Sequence, residues 1–296
     1  MIHGSLIALV TPFDGNNRVD YASLKRLVDF HVEQGSSGLV IAGTTGESPT
    51  LRRSEHIELI GRSIEIAAGR IPVIAGIGSN STFQSIELSH AVYDPRLTAY
   101  MAVVPYYNKP TQEGIYLHYR AIADAIGKPL LMYNVPGRTV ADMLPETVER
   151  LARHENIFGL KEATGDIDRL KQIQAVVSDE FALYSGDDFT LRSFIEQDGH
   201  GVVTVSGNVA PRQVARLCEL AMAGKAEEAR ALDDTLQPLN NALFVESNPI
   251  PVKWAVSTMG LMEPHIRLPL TQYSEQHYNE MRSAMRTAGV DLEENA

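Results

Sequence analysis

The residues with most chemistry to offer lie in Ile157-Phe158-Gly159-Leu160-Lys161-Glu162-Ala163-Thr164-Gly165, where a lysine closes a short apolar run and Gly165 opens a turn. Burying an ammonium costs free energy unless it is paired or sheds its proton. The neutral amine is a nucleophile, and the reaction open to it is attack on a ketone or aldehyde carbonyl to form a Schiff base. Other stretches could serve such a lysine. Gly43-Thr44-Thr45-Gly46-Glu47 sets two hydroxyls between glycines, so backbone amides can approach an anion while the side chains donate to it. Gly76-Ile77-Gly78-Ser79-Asn80 is a second loop of that kind. Pro105-Tyr106-Tyr107-Asn108 and Leu131-Met132-Tyr133-Asn134-Val135-Pro136-Gly137-Arg138-Thr139 each bring tyrosine for proton transfer, and Arg138 on its Pro-Gly turn suits bidentate carboxylate binding. Taken singly these patterns have structural uses, as turn glycines or packed rim aromatics. Taken together they describe a site for carbonyl chemistry on an oxo acid.

Groups this far apart in the chain need a frame that gathers strand ends. Short β-type runs end near Val10, Thr44, Ile77, Pro105, Asn134, Lys161, Ser185 and Val205. Each interval holds one turn, one helix and the return to a parallel strand. Eight such units predict an α/β fold, a (β/α)8 TIM barrel, whose site lies at the C-terminal strand ends. A doubly wound open sheet would carry a glycine-rich phosphate fingerprint after its first strand, and Val10-Thr11-Pro12-Phe13-Asp14 has none. Helical periodicity shows in Leu24, Leu27, Val28 and His31, in Ile57, Ile60 and Ile64, and in Leu117, Ala121 and Ile122. Asp20 and Ser54 read as N-caps and Pro145 as a first-turn proline. After Val205 only helices are expected: Pro211 to Met222, Lys225 to about Leu239, roughly Asn241 to Met259, and Glu275 to about Thr287. The reading is a catalytic barrel over 1–224 and a C-terminal helical extension over 225–296, bracing the barrel or meeting another subunit.

The 296 residues carry 26 lysines and arginines against 37 acidic residues, a net charge of −11 with no basic cluster. Nucleic acid and anionic membrane are therefore not expected partners. The N-terminus has no cationic lead and only a short apolar run, and no segment is long enough to span a membrane. The single cysteine, Cys218, sits among Val214, Leu217 and Leu220 and reads as a packing residue in a reducing cytoplasm. The histidines are scattered, with His31, His56, His90 and His118 on predicted helices, so a metal-dependent route is not expected.

Gly43 to Glu47, Pro105-Tyr106-Tyr107, Tyr133 to Thr139 and Gly159 to Gly165 together resemble the class I pyruvate-dependent aldolases of the dihydrodipicolinate synthase and N-acetylneuraminate lyase superfamily, closest to its dihydrodipicolinate synthase branch. The resemblance runs from about Gly4 to Leu270 and includes Tyr184-Ser185-Gly186-Asp187-Asp188 and Glu246-Ser247-Asn248-Pro249-Ile250-Pro251-Val252-Lys253. It implies that Lys161 condenses with pyruvate and that the enamine attacks L-aspartate-4-semialdehyde, a step of lysine biosynthesis through diaminopimelate. No cofactor is implied beyond the covalent Schiff base, and no metal. By the same resemblance Tyr133 carries protons, and Thr44 and Tyr107 complete a relay, Tyr107 arriving across a tight-dimer contact within a homotetramer of two dimers. Thr45 and the backbone at Gly186 and Val203 would hold pyruvate, and Arg138 the semialdehyde carboxylate. A related lyase acting on N-acetylneuraminate or a sugar-derived oxo acid would share Lys161 and Tyr133, but a sugar chain calls for neutral hydrogen-bonding groups where this chain has Arg138. A scaffold barrel without activity would be expected to have lost Lys161 or Tyr133.

The resemblance also implies a lysine-binding site at the tight-dimer contact, on Ser48, Pro49, Leu51, Arg53, His56, Asn80, Gln84 and Tyr106. Sensitive relatives commonly have glutamate at position 84 and histidine at position 53. Gln84 and Arg53 would deprive the ε-ammonium of its charge partner, so weak or absent inhibition is expected. Two further departures are Tyr93-Asp94-Pro95-Arg96-Leu97 before the fourth strand and Val104 where threonine is common.

Overall fold

A computed structural model describes residues 2–292. Eight strands close into one parallel barrel in chain order: β1 Gly4–Ala8, β2 Gly38–Ile41, β3 Val73–Gly76, β4 Ala99–Val103, β5 Leu130–Asn134, β6 Ile157–Glu162, β7 Ala182–Ser185 and β8 Gly201–Thr204. Every run expected from the sequence is a strand, ending within a few residues of the predicted position. A parallel sheet is covered on both faces, and the strands are accordingly buried along nearly their whole length, with polar residues such as Asn134, Lys161, Glu162 and Ser185 toward their C-terminal ends. Leu6, Val40, Ile74, Met101, Leu131 and Tyr184 fill the barrel interior, while Ile7, Leu39, Ile41 and Val73 turn outward into the helix-packed core. Closure of β8 onto β1 requires glycine. A Cβ on Gly201 would stand 2.1 Å from the Gly4 carbonyl oxygen, and its φ of +154° is one side chains rarely adopt.

Helices α1 Tyr21–Glu33, α2 Arg53–Ala67, α3 Thr82–Ala91 and α4 Gln112–Ala125 follow β1 to β4; a single turn, α5 Pro136–Thr139, and α6 Pro145–Ala152 follow β5. Helices α7 Ile167–Gln174, α8 Leu191–Ile195 and α9 Pro211–Met222 follow β6 to β8. Asp20 caps α1, accepting from the Ala22 and Ser23 amides, and Pro145 opens α6 as expected. Ser54 does not cap α2. The helix starts at Arg53, and the Glu55 carboxylate accepts from the Arg52 amide at 2.9 Å, which satisfies the helix entry from inside its first turn. In α4 the buried face is Ile115, His118, Tyr119, Ile122 and Ala123, so Leu117 lies outside the core, half exposed.

The C-terminal layer is α10 Ala226–Leu243, α11 Ile250–Thr258 and α12 Tyr278–Thr287. The single helix expected from Asn241 to Met259 is two pieces. α10 runs on to Leu243, and α11 begins only at Ile250, because Pro249 and Pro251 lack an N–H and fit only at or before a first helical turn. α10 packs against α9 and α12, and the Trp254 ring stacks on Tyr278 at 4.4 Å. Residues 293–296 of the predicted extension lie outside the described residues. Cys218 is buried on α9, and burial pushes its thiol up. Among the described residues no helix is long and apolar enough to cross a membrane.

Candidate active site

Lys161 stands one residue from the end of β6 and Tyr133 one residue from the end of β5, and the ladder pairs them directly. Alternation along a strand sends both inward, while their neighbours Glu162 and Asn134 point to the outer face. Lys161 is 5 % exposed, and its Nζ lies 4.0 Å from the centre of the Tyr133 ring. Behind them the Asn134 amide donates to Glu162 at 3.0 Å and to Asp142 at 2.8 Å, and Asp142 is paired with Arg169 at 2.8 Å. Burial raises the Glu162 carboxyl, partly offset by the Asn134 and Thr164 hydrogen bonds. This layer ties the ends of β5 and β6 together and so fixes the pair in front of it.

A cavity of about 140 Å³ opens at this end of the barrel, lined by Lys161, Tyr133, Thr44, Thr45, Gly186 and Arg138 among others. Gly186 is required by space. A Cβ there would stand 2.8 Å from Lys161 Cε and 2.6 Å from Ala163 Cβ, closer than carbon atoms pack. Arg138 reaches the cavity from α5, exposed at the mouth, and donates to the Asn248 carbonyl at 3.3 Å. Val203 does not line this cavity. It lies wholly inside the barrel, and Val205 takes the lining position. Tyr107 lies in neither this cavity nor the next, is 88 % exposed, and has a φ of +74°.

Asn248, Asp187 and Phe244 also line the cavity and were given no role from the sequence. Asn248 is buried, donates from Nδ2 to Thr45 Oγ1 at 2.9 Å, and has an Oδ1 with no partner. Its signal was the Glu246 to Lys253 motif, which carried no assignment. Among the described residues no cluster of three or more His, Cys, Asp or Glu could hold a metal ion.

A second cavity, of about 590 Å³, shares Thr44, Val135 and Arg138 with the first. It gathers Ser48, Pro49, Leu51, Arg53, His56, Gln84 and Tyr106, seven of the eight residues expected at a lysine site; Asn80 is outside its lining, and its carbonyl accepts from Asn108. His56 bonds the Gly76 carbonyl at 2.8 Å, and burial lowers its pKa. Gln84 Oε1 accepts from Ser79 at 2.9 Å. Glu87, missed in the sequence, lines the same cavity 3.6 Å from Arg53 and answers that charge locally.

The chain matches the Dihydrodipicolinate synthetase family (DHDPS) over residues 1–288. It belongs to this family. A relative from Ectopseudomonas mendocina (strain ymp), a 4-hydroxy-tetrahydrodipicolinate synthase, is 54 % identical over 290 residues, 98 % of this chain and 99 % of that one. The chloride-inhibited dihydrodipicolinate synthase of Acinetobacter baumannii, solved in complex with pyruvate, superposes with a TM-score of 0.96 at 46 % identity, covering 98 % of this chain and 100 % of that one. The DHDPS of Cyanidioschyzon merolae, solved with lysine bound, has a TM-score of 0.94 at 41 % identity, with coverage of 97 % and 98 %. Within the DHDPS family frame, Lys161 and Tyr133 occupy the strand ends where a barrel enzyme places its chemistry.

Proposed function

We propose that the chain is a 4-hydroxy-tetrahydrodipicolinate synthase of the cytoplasm, a lyase of the class I aldolase type joining pyruvate to L-aspartate-4-semialdehyde. Family membership over nearly the whole chain supports the reaction. The observation that carries the mechanism is the buried Lys161 facing Tyr133 across adjacent strand ends, with Nζ 4.0 Å from the ring.

Lys161 Nζ attacks the pyruvate ketone, and loss of one water leaves a Schiff base. Removal of a methyl proton gives the enamine, whose carbon attacks the semialdehyde carbonyl and leaves a hydroxyl there. The substrate amine then displaces Lys161 from the imine carbon, closing the ring and freeing the lysine. Tyr133 carries the protons, relayed to solvent through Thr44 and the Tyr107 of a neighbouring subunit. Thr45, with the backbone at Gly186, holds pyruvate, and the exposed Arg138 binds the semialdehyde carboxylate. No cofactor is needed beyond the covalent imine. Barrel residues 1–224 supply the catalytic groups, and 225–296 brace them.

The exposure of Tyr107, and of the apolar or aromatic Phe83, Leu117 and Tyr106, supports a tight dimer, two of which make a homotetramer. At the second cavity L-lysine binds weakly or not at all, since Gln84 is neutral and Glu87 is occupied by Arg53. A coupled assay of purified protein with pyruvate and aspartate-4-semialdehyde tests the function. Turnover of this pair is expected, and turnover only of sugar-derived oxo acids would refute it.

A further inference from the structure

The Gly43 to Glu47 loop ends on a charge that faces no substrate. Glu47 is buried, and its side chain has no exposure at all. Its φ is +55°, a left-handed backbone that a non-glycine residue adopts only where surroundings hold it. Its Oε1 accepts from Lys253 Nζ on α11 at 2.5 Å, and its Oε2 from the Arg267 amide at 3.1 Å. The Phe13 ring meets both cations, with Lys253 Nζ 4.2 Å and the Arg267 guanidinium carbon 4.1 Å from its centre. Arg267 in turn donates to the Thr50 carbonyl at 2.9 Å and to both Glu55 oxygens. Five residues before Lys253, Asn248 holds the Thr45 hydroxyl. The loop is thus gripped from one side by the C-terminal layer, at its threonine and at its glutamate.

An ion pair this deep is a poor device for stability, because removing both charges from water offsets much of their attraction. What it does supply is direction. A carboxylate that must meet one ammonium and one amide fixes the path of the backbone that carries it, and that backbone carries Thr44 and Thr45 three and two residues earlier. The pair also gives the second buried lysine a fixed anionic partner, whereas the amine of Lys161 faces the cavity.

We propose that Glu47 and Lys253 are positioning residues of the reaction, their ion pair locking α11 to the Gly43 to Glu47 loop and so setting the Thr44 and Thr45 hydroxyls in the cavity. The proposal rests on the roles given above to Thr44 in the proton relay and to Thr45 in holding pyruvate.

The test is a cycle of E47Q, T45V and the double variant in the full chain, with K253M beside them. Circular dichroism establishes folding, and borohydride trapping at saturating pyruvate establishes that Lys161 still reacts. E47Q and K253M are expected to lower kcat/KM for pyruvate on the order of 10- to 100-fold, the cost of displacing a binding group by a fraction of an ångström to an ångström. In the T45V background E47Q should add little to the pyruvate KM, since the group it positions is gone. If E47Q fails to fold, E47D, which keeps the charge and withdraws it by one methylene, replaces it in the cycle with the same expectation. Folded E47Q with unchanged kcat and KM overturns the proposal alone. Losses from E47Q and T45V that multiply in full also overturn it alone, by showing that Glu47 does not act through the threonine. An unchanged pyruvate KM in T45V overturns the threonine's role and the proposal with it.

Discussion

Replacing Gly186 by alanine probes the site with a single methyl. The added carbon would lie 2.8 Å from Lys161 Cε and 2.6 Å from Ala163 Cβ. Carbon contacts relax at about 3.5–4.0 Å, so each neighbour must give way by roughly 1 Å. The end of β6 resists, because the Gly186 amide donates to the Glu162 carbonyl at 2.7 Å and the Ala163 amide to the Asn134 carbonyl at 2.9 Å. The lysine tail is the softer partner and moves first. Overpacking of this kind costs about 1–3 kcal/mol, equivalent to a fall in Tm of roughly 2–10 °C, so the protein should still fold. A nucleophile displaced by an ångström loses on the order of 100-fold in rate. The expected result in the coupled assay is kcat/KM for pyruvate down by about that factor, with a slowed borohydride adduct and a near-native circular dichroism spectrum. Gly61→Ala on α2 is the control, because its Cβ meets nothing within 4 Å. It should leave activity unchanged and raise stability by up to about 1 kcal/mol. Gly186→Ala with a rate within twofold of the parent would refute the packing argument.

Arg138→Ala should leave the pyruvate adduct intact while raising the semialdehyde KM strongly; a folded variant that forms no adduct would move Arg138 into the first half-reaction. Lysine titrated against initial rate should inhibit weakly or not at all, and Gln84→Glu should tighten its binding by about 2- to 30-fold, the difference between a neutral and a charged acceptor. Sub-millimolar inhibition of the parent would overturn the first expectation, and no gain in the variant the second. His31 is buried, and desolvation lowers its pKa to about 3. Below about pH 6.5 the unfolded chain takes up a proton that the folded chain refuses, so stability falls with pH down to about 3, by about 2 kcal/mol between pH 7 and 5. In urea melts His31→Asn should lose that part of the pH dependence, and an unchanged slope would show that His31 is not its source.

The frame and the reacting pair were legible in the sequence because both depend on short-range regularity. Apolar runs ending in Gly43-Thr44-Thr45, Tyr133 and Lys161 mark strand ends, and a barrel brings strand ends to one rim. What escaped depends on distance in the chain. Glu47 and Lys253 are separated by 206 positions, and no local pattern says that they meet. Phe244 enters the cavity through tertiary packing alone, while Asn248 and Asp187 lay within motifs that carried no assignment for them. Glu87 lies one helical turn beyond Gln84 on α3, yet its bearing on Arg53 appears only when α2 and α3 are placed side by side. The break between α10 and α11 was readable from Pro249 and Pro251, and apolar periodicity across 241–259 obscured it. The face of α4 was misjudged for a related reason: Leu117 is apolar but half exposed, and apolar spacing alone does not separate a residue of the core face from one beside it.

The central claim is that Lys161 is the amine that takes up pyruvate. Incubation with pyruvate, reduction with borohydride and peptide mapping by mass spectrometry test it directly. The account predicts one adduct, on Lys161, absent from Lys161→Ala along with all turnover, and no label on the buried, paired Lys253. An undiminished adduct on the variant, or an adduct mapped to Lys253, would contradict it.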